Sequence, residues 1–260
     1  MAIPFAVIAG VGPGTGAAVA RKFAAAYPVA LLARKPDNYD FLVKEINNNG
    51  GKAIGVSTDV SDASSIKNAV QQAVKEFGDV GCAAAVFNAS SGFVRKPFLD
   101  TTEEEFVTGY TVSGEDDWGV WALIMSVMFR KGAFLFTQAT LPHLLKAVPS
   151  SKYPPTIVYT GATASIKGSA QLSTFAHGKW ALRAMAQSVA REFAPQGVHV
   201  AHAIIDGVID IPRTKEWLKD QPPEAKIAPE GIADAYWSLH TQPKTAFTNE
   251  IDIRPMLEKW

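Results

Sequence analysis

Seven short runs rich in β-forming and apolar residues, from PFAVIAG near the start to FTNEIDIRP near the end, alternate along this chain with longer segments of helical period. The intervening runs are PVALLAR, KAIGVSTDV, CAAAVFNAS, PTIVYTGA and GVHVAHAIID, and the helix-patterned segments cover residues 16–27, 41–48, 64–77, 133–147 and 175–193. Strands apolar on both faces must be covered on both faces, and strands that alternate with helices pair in parallel. No linker, repeat or low-complexity tract divides the pattern, so residues 1–260 read as a single α/β domain, a doubly wound parallel sheet with helices on both sides. A chain of 260 residues that is 47% hydrophobic has enough material for such a core.

Charge narrows the partner. Twenty-five basic residues balance twenty-five acidic ones, and no clustered excess of Lys and Arg exists to replace counterions on a nucleic acid or an anionic membrane. The expected partner is a small-molecule substrate. Cys82 is the single cysteine, so no intrachain disulfide and no cysteine-based metal cluster can form. No His, Asp and Glu cluster has metal-ligand spacing, and a cytoplasmic location is expected. The apolar opening MAIPFAVIAG lacks a basic leader and reads as a buried strand rather than a signal peptide. A second apolar stretch, WGVWALIMSVMF from Trp118 to Phe129, is shorter than the ~20 residues a membrane span requires. Acidic Glu115, Asp116 and Asp117 precede it and basic Arg130 and Lys131 follow, which suits an internal or interface helix.

The first strand runs into IAGVGPGTGAAVARKFA, with glycines at Gly10, Gly12, Gly14 and Gly16. Glycines let a backbone turn tightly and approach a pyrophosphate, and the helix that follows offers amide donors and the positive end of its dipole. The G-x-G-x-x-G fingerprint does not fit, because Thr15 stands at its third glycine. G-x-x-x-G-x-G fits, on Gly10, Gly14 and Gly16. At the end of the second run, where an acid would hold a ribose 2′-hydroxyl, the chain has Ala33 followed by Arg34 and Lys35. Arg34 therefore favours the 2′-phosphate of NADP(H) over NAD(H).

The glycine spacing resembles the nucleotide loop of the short-chain dehydrogenase/reductase family, and further matches follow in order over residues 3–255. Asp59 and Val60 resemble the pair whose acid meets the adenine amino group. FNAS, residues 87–90, resembles the family's Asn-Asn-Ala-Gly stretch and keeps Asn88 and Ala89. FAHGKWALRAMAQSVARE resembles the Tyr-x-x-x-Lys helix and keeps Lys179. IIDGVIDIP resembles the Pro-Gly turn after the sixth strand, with Asp206 for proline, Gly207 retained and Ile209 following. The resemblance implies a Rossmann-like fold and a cofactor site on Gly10, Gly14, Thr15, Gly16, Arg34, Asp59, Asn88, Ala89, Lys179, Gly207 and Ile209. It also implies a homodimer or homotetramer paired through the helices that contain residues 133–147 and 175–193.

The expected catalytic positions depart from the family. Its acid/base Tyr is replaced by Phe175, and Ala162 falls at its Ser, with Thr160 and Thr163 close by. Lys179 shares a helical face with Phe175, Leu182 and Ala186, which favours a role on the nicotinamide ribose over a solvated lysine. The family's Asn falls near Phe129 or near Thr111 depending on the direction of counting, so residues 114–131 read as an insertion. An extra helix at a subunit contact and a retained noncoding stretch both account for it. Asp206, at the carboxyl end of the sixth strand, is a candidate replacement acid and also a plausible turn former before Gly207. His177 is a second candidate on another side of the helix, while Tyr159 and Lys167 are further ones. His143 is expected to close its helix. Residues 210–230 are expected to cover the substrate.

These features together imply an atypical family member with Phe in place of Tyr, an NADP(H)-dependent oxidoreductase of a small carbonyl or alcohol. Two other functions stay open: a catalytically inactive NADP(H)-binding sensor or partner subunit, and a reaction without redox change in the same pocket.

Overall fold

The computed structural model describes residues 3–90, 95–108 and 131–259. These residues form one parallel sheet of seven strands in the order β3-β2-β1-β4-β5-β6-β7. The strands are β1 (Phe5–Ala9), β2 (Val29–Ala33), β3 (Ala53–Ser57), β4 (Cys82–Phe87), β5 (Thr156–Thr160), β6 (His199–Ile205) and β7 (Glu250–Ile253). The helices are α1 (Thr15–Ala24), α2 (Asp40–Asn48), α3 (Ala63–Phe77), α4 (Glu103–Thr108), α5 (Lys131–Ala147), α6 (Ser173–Phe193) and α7 (Pro229–His240). Every residue of β1, β2, β4, β5 and β6 is buried, which is why these runs read as continuously apolar instead of alternating. The segments expected to be helical are so, each beginning one or two residues earlier than its apolar period.

Two cores result, one on each face of the sheet. Phe23 of α1 and Tyr236 of α7 pack with Ile8 and Leu31 on one side. Phe136 of α5 and Leu182 of α6 pack with Phe5, Phe87 and Tyr159 on the other. Each fully buried side chain of this size contributes roughly 1.5–3 kcal/mol relative to exposure. Strand order reverses at β1, whose neighbours are β2 and β4. A crevice therefore opens at the carboxyl ends of β1 and β4, where the glycine turn and Asn88 lie.

The trailing strand is tied in by charge. Arg183 of α6 grips Glu250 of β7 with two hydrogen bonds of 2.7 and 2.8 Å, and His202 of β6 meets the same carboxylate at 3.1 Å. The expected helix at residues 118–129, both counts for the family's Asn and the expected insertion up to residue 130 lie outside the described residues. Lys131, at its end, opens α5.

Candidate active site

The first wall of the crevice is the turn from β1 to α1. Gly10 adopts φ +85°, and a Cβ there would collide with the backbone of Ala89. Gly14 precedes the helix with φ +133°, and its missing side chain makes room for Ile211, whose Cγ2 would lie 2.5 Å from a Cβ. Gly12, which lines the cavity, differs: a Cβ there would meet nothing nearer than the Asn38 side chain at 4.0 Å. No side chain caps α1 and no acid sits in its first turn. The N-terminus of α1 thus presents donors without a competing carboxylate, a cradle suited to a phosphate. Asn88 braces it, its Nδ2 donating to the Gly10 carbonyl at 2.9 Å.

A cavity of about 670 Å³ runs from Gly10, Gly12, Thr15 and Gly16 to Lys179, with Ala162, Thr163, Phe175, Gly207 and Ile209 along it. Lys179 is 3% exposed, and its Nζ donates to the Thr160 carbonyl at 2.8 Å. A snorkelling lysine would end in water, whereas this ammonium ends on the cavity wall. The Phe175 ring centroid lies 5.8 Å from that Nζ, so the phenyl ring offers the lysine its π face but no transferable proton. A second cavity of about 410 Å³ is lined by Ala33, Arg34, Lys35, Asn38, Ala89 and Arg213, and no carboxylate lines it among the described residues.

Asp206 is 5% exposed and does not line the large cavity. One of its oxygens accepts the hydroxyl proton of Thr163, and the other accepts from Arg254 at 2.8 Å. It reaches the cavity only through Thr163. Asp59 is likewise turned aside: its Oδ1 accepts from the Ser61 amide at 2.8 Å and hydroxyl at 2.7 Å, while Thr58 and Val60 line the smaller cavity. Gly14 lies behind the phosphate turn under Ile211.

The remaining candidates separate clearly. Tyr159 is wholly buried and bonded to Thr137 at 2.6 Å, and burial pushes its phenol pKa up, so it is a core group and not a cavity acid. His177 stacks on Phe106 at 5.1 Å and does not line the cavity, and burial lowers its pKa. Lys167 does line the cavity. His143 sits within α5, one turn before its end, facing the Phe5 ring at 6.3 Å.

Arg213, Thr214, Trp217, Leu172 and Ser90 also line the large cavity. Ser90 closes the FNAS stretch, whereas Arg213, Thr214 and Trp217 stand in contexts without a motif, because a side chain brought in by the loop after β6 is placed by tertiary folding alone. The loop is stiffened at its root by a bridge between Ile209 and Ile227 and by 3-10 turns at Pro212–Thr214 and Pro223–Ala225. Of residues 210–230, Ile211, Arg213, Thr214 and Trp217 line the cavity.

The short chain dehydrogenase family model matches residues 4–222, from the first strand to the loop that bears Trp217. The chain belongs to the short-chain dehydrogenase family. A curated relative, an uncharacterised oxidoreductase of Staphylococcus epidermidis, is 27% identical over 96% of each chain. L-2,3-butanediol dehydrogenase of Corynebacterium glutamicum is 28% identical over 78% of this chain and 71% of its own. Among solved structures, a short-chain dehydrogenase from Rhodopseudomonas palustris is 30% identical, with a TM-score of 0.73 over 98% of this chain and 99% of that one. An alcohol dehydrogenase from the archaeon Thermococcus sibiricus, complexed with 5-hydroxy-NADP, shares the fold at 24% identity and a TM-score of 0.77 over 99% and 98% of the two chains. This short-chain dehydrogenase is an oxidoreductase by family, and among its described residues no helix is long and apolar enough to cross a membrane.

Proposed function

We propose that this protein is an NADP(H)-dependent oxidoreductase of small carbonyls or alcohols, a family member in which Phe175 occupies the position of the usual acid/base tyrosine. The observation that carries this reading is the continuity of one cavity from an uncapped helix N-terminus to the buried Lys179 ammonium. The glycine turn would hold the pyrophosphate, Arg34 the 2′-phosphate and Lys179 the nicotinamide ribose. NADP(H), when bound there, supplies or accepts the hydride. The relative named for 2,3-butanediol supports a small alcohol.

The protein's own task is then the proton. Thr163 has one hydroxyl proton and gives it to Asp206, so its oxygen offers the cavity lone pairs only. That geometry suits accepting the O–H of a bound alcohol. In alcohol oxidation the substrate hydroxyl proton passes to Thr163 Oγ1 while the threonine's own proton passes to the Asp206 carboxylate; carbonyl reduction runs the same exchange backwards. Arg254, paired with Asp206, offsets the carboxylate's charge between turnovers.

Turnover of NADPH with a panel of small ketones and aldehydes tests the reading. D206N and T163V are expected to lower turnover by about 10²-fold or more while NADPH affinity stays within about twofold, and T163S is expected to restore most of it. Full activity in both variants would overturn the route. A wild type that binds NADPH yet oxidises none of it across the panel would favour the nucleotide-binding protein without turnover. We also propose pairing through α5 and α6, where Phe134 is 40% and Trp180 44% exposed. Light scattering is expected to give a dimer or tetramer at micromolar concentration.

A further inference from the structure

We propose that Arg213 is a cofactor-positioning residue that closes on the pyrophosphate from the loop side, opposite the glycine turn. The inference rests on the dinucleotide reading above and adds to it a residue from outside the fingerprint. The large cavity and the smaller one share four wall residues: Gly10, Asn88, Ser90 and Arg213. Gly10 and Asn88 belong to the ends of β1 and β4, while Arg213 arrives from the loop after β6. If the smaller cavity takes the adenosine and the larger one the nicotinamide riboside, the group at their junction is the one that joins the two, the pyrophosphate.

The charge and the local geometry agree with that placement. Among the described residues no carboxylate lines either cavity, and Arg213 makes no ion pair. Its loop neighbour Lys226 is by contrast spent on holding the loop, on Asp210 at 3.5 Å and on the carbonyls of Thr214 and Lys215 at 3.1 Å each. The Arg213 backbone is fixed without help from its side chain. It lies in a 3-10 turn opened by Pro212, where the Thr214 hydroxyl accepts from the Ile211 amide at 3.2 Å and donates to the Ile209 carbonyl. Ile211 in turn rests on Gly14. The guanidinium is thus exposed and uncommitted on a turn that is itself registered against the phosphate cradle. A planar five-donor group is well matched to a bridging pair of phosphates. Trp217, three residues past the turn and donating its amide to the Thr214 carbonyl at 2.9 Å, lies on the cavity wall, so a bound pyrophosphate is expected to steady the substrate side as well, with dinucleotide binding before substrate.

Binding titrations distinguish this from a role on the 2′-phosphate. Wild type, R213Q, R213K and R34Q are titrated with NADPH, NADH, ADP and 2′-AMP, by calorimetry or, for the weaker mononucleotides, by NMR. R213Q is expected to weaken NADPH, NADH and ADP alike by about tenfold and to leave 2′-AMP unchanged, with R213K recovering most of the loss. R34Q is expected to show the complementary pattern, weakening NADPH and 2′-AMP only. Unchanged affinities in R213Q, or a loss confined to NADPH and 2′-AMP, would overturn the assignment. A wild type that binds neither dinucleotide would instead overturn the dinucleotide reading and the assignment with it, an outcome visible before any variant is made.

Discussion

The two ends of the large cavity differ in what their polar groups are already doing. At the phosphate end, α1 begins without a side-chain cap, and neither Arg213 nor, in the adjoining smaller cavity, Arg34 makes an ion pair among the described residues. At the chemical end the buried polar groups are engaged within the protein: Lys179 on the Thr160 carbonyl, the Thr160 hydroxyl on Tyr236 at 2.8 Å, and Thr163 on Asp206, which also takes Arg254. One end suits an anionic ligand, because the protein spends few of its donors there. The buried groups of the other are internally satisfied, so a substrate there meets a preset arrangement of lone pairs and the buried Lys179 ammonium, with exposed Lys167 at the wall. Under the proposed function, binding and proton transfer are accordingly expected to be separable, each open to change without the other.

The largest effect is expected where the contrast is sharpest. F175Y combined with A162S places a phenol beside the Lys179 ammonium, which favours its ionised form, and restores a hydroxyl donor on the cavity wall. NADPH-dependent carbonyl reduction is expected to rise in the direction of the 10²–10⁴-fold credited to a positioned acid, with dinucleotide affinity little changed. If affinity moves with turnover, the two ends are not separable and the comparison fails.

Acid tests the scaffold both ends share. His202, hemmed by Glu250 and facing the charges of Lys179 and Arg183, is lowered to about 4, chiefly by burial. His240, bonded to Tyr27 at 2.8 Å and Thr156 at 3.0 Å, is lowered to about 4 by burial and, less, by His199. A histidine whose folded pKa lies below its unfolded value of about 6.5 favours folding fully above that value, and the contribution is lost as pH falls between the two. At about pH 5 each ring is expected to have removed roughly 2 kcal/mol, or about 30-fold in the folding equilibrium. Thermal melts from pH 7 downward should show a falling midpoint. Dinucleotide binding and turnover should then fail together, whereas turnover lost at a higher pH with binding intact would locate a titration in the chemical end alone.

The smallest effect isolates the cofactor end. R34A is expected to weaken NADPH roughly tenfold or more and to leave NADH nearly unchanged, as loss of one charge-assisted contact to the 2′-phosphate should. Equal losses for both dinucleotides would mean that Arg34 does not read that phosphate.

Local patterning determined the strands, the helices and the phosphate turn. Continuous apolar runs require cover on both faces, helical period requires one buried face, and glycines at Gly10 and Gly14 meet conformations with positive φ that other residues adopt poorly. The Lys179 face was legible for the same reason, since Leu182 and Ala186 mark its stripe as buried. Tertiary structure alone decided the engagement of the polar groups. Nothing near Asp206 in the chain shows that Thr163 and Arg254, 43 residues before it and well beyond it, take both its oxygens. Arg213 stands in a stretch with no periodicity, and it reaches the junction of the cavities through the Pro212 turn, the Thr214 hydrogen bonds and the seating of Ile211 on Gly14. A hydrogen bond is short-ranged and directional, so which of several nearby donors satisfies an acceptor depends on positions fixed to a fraction of an ångström by packing from distant segments. Hydrophobic patterning needs no such precision, and that is why the sequence carries the scaffold openly and the state of the site only through the fold.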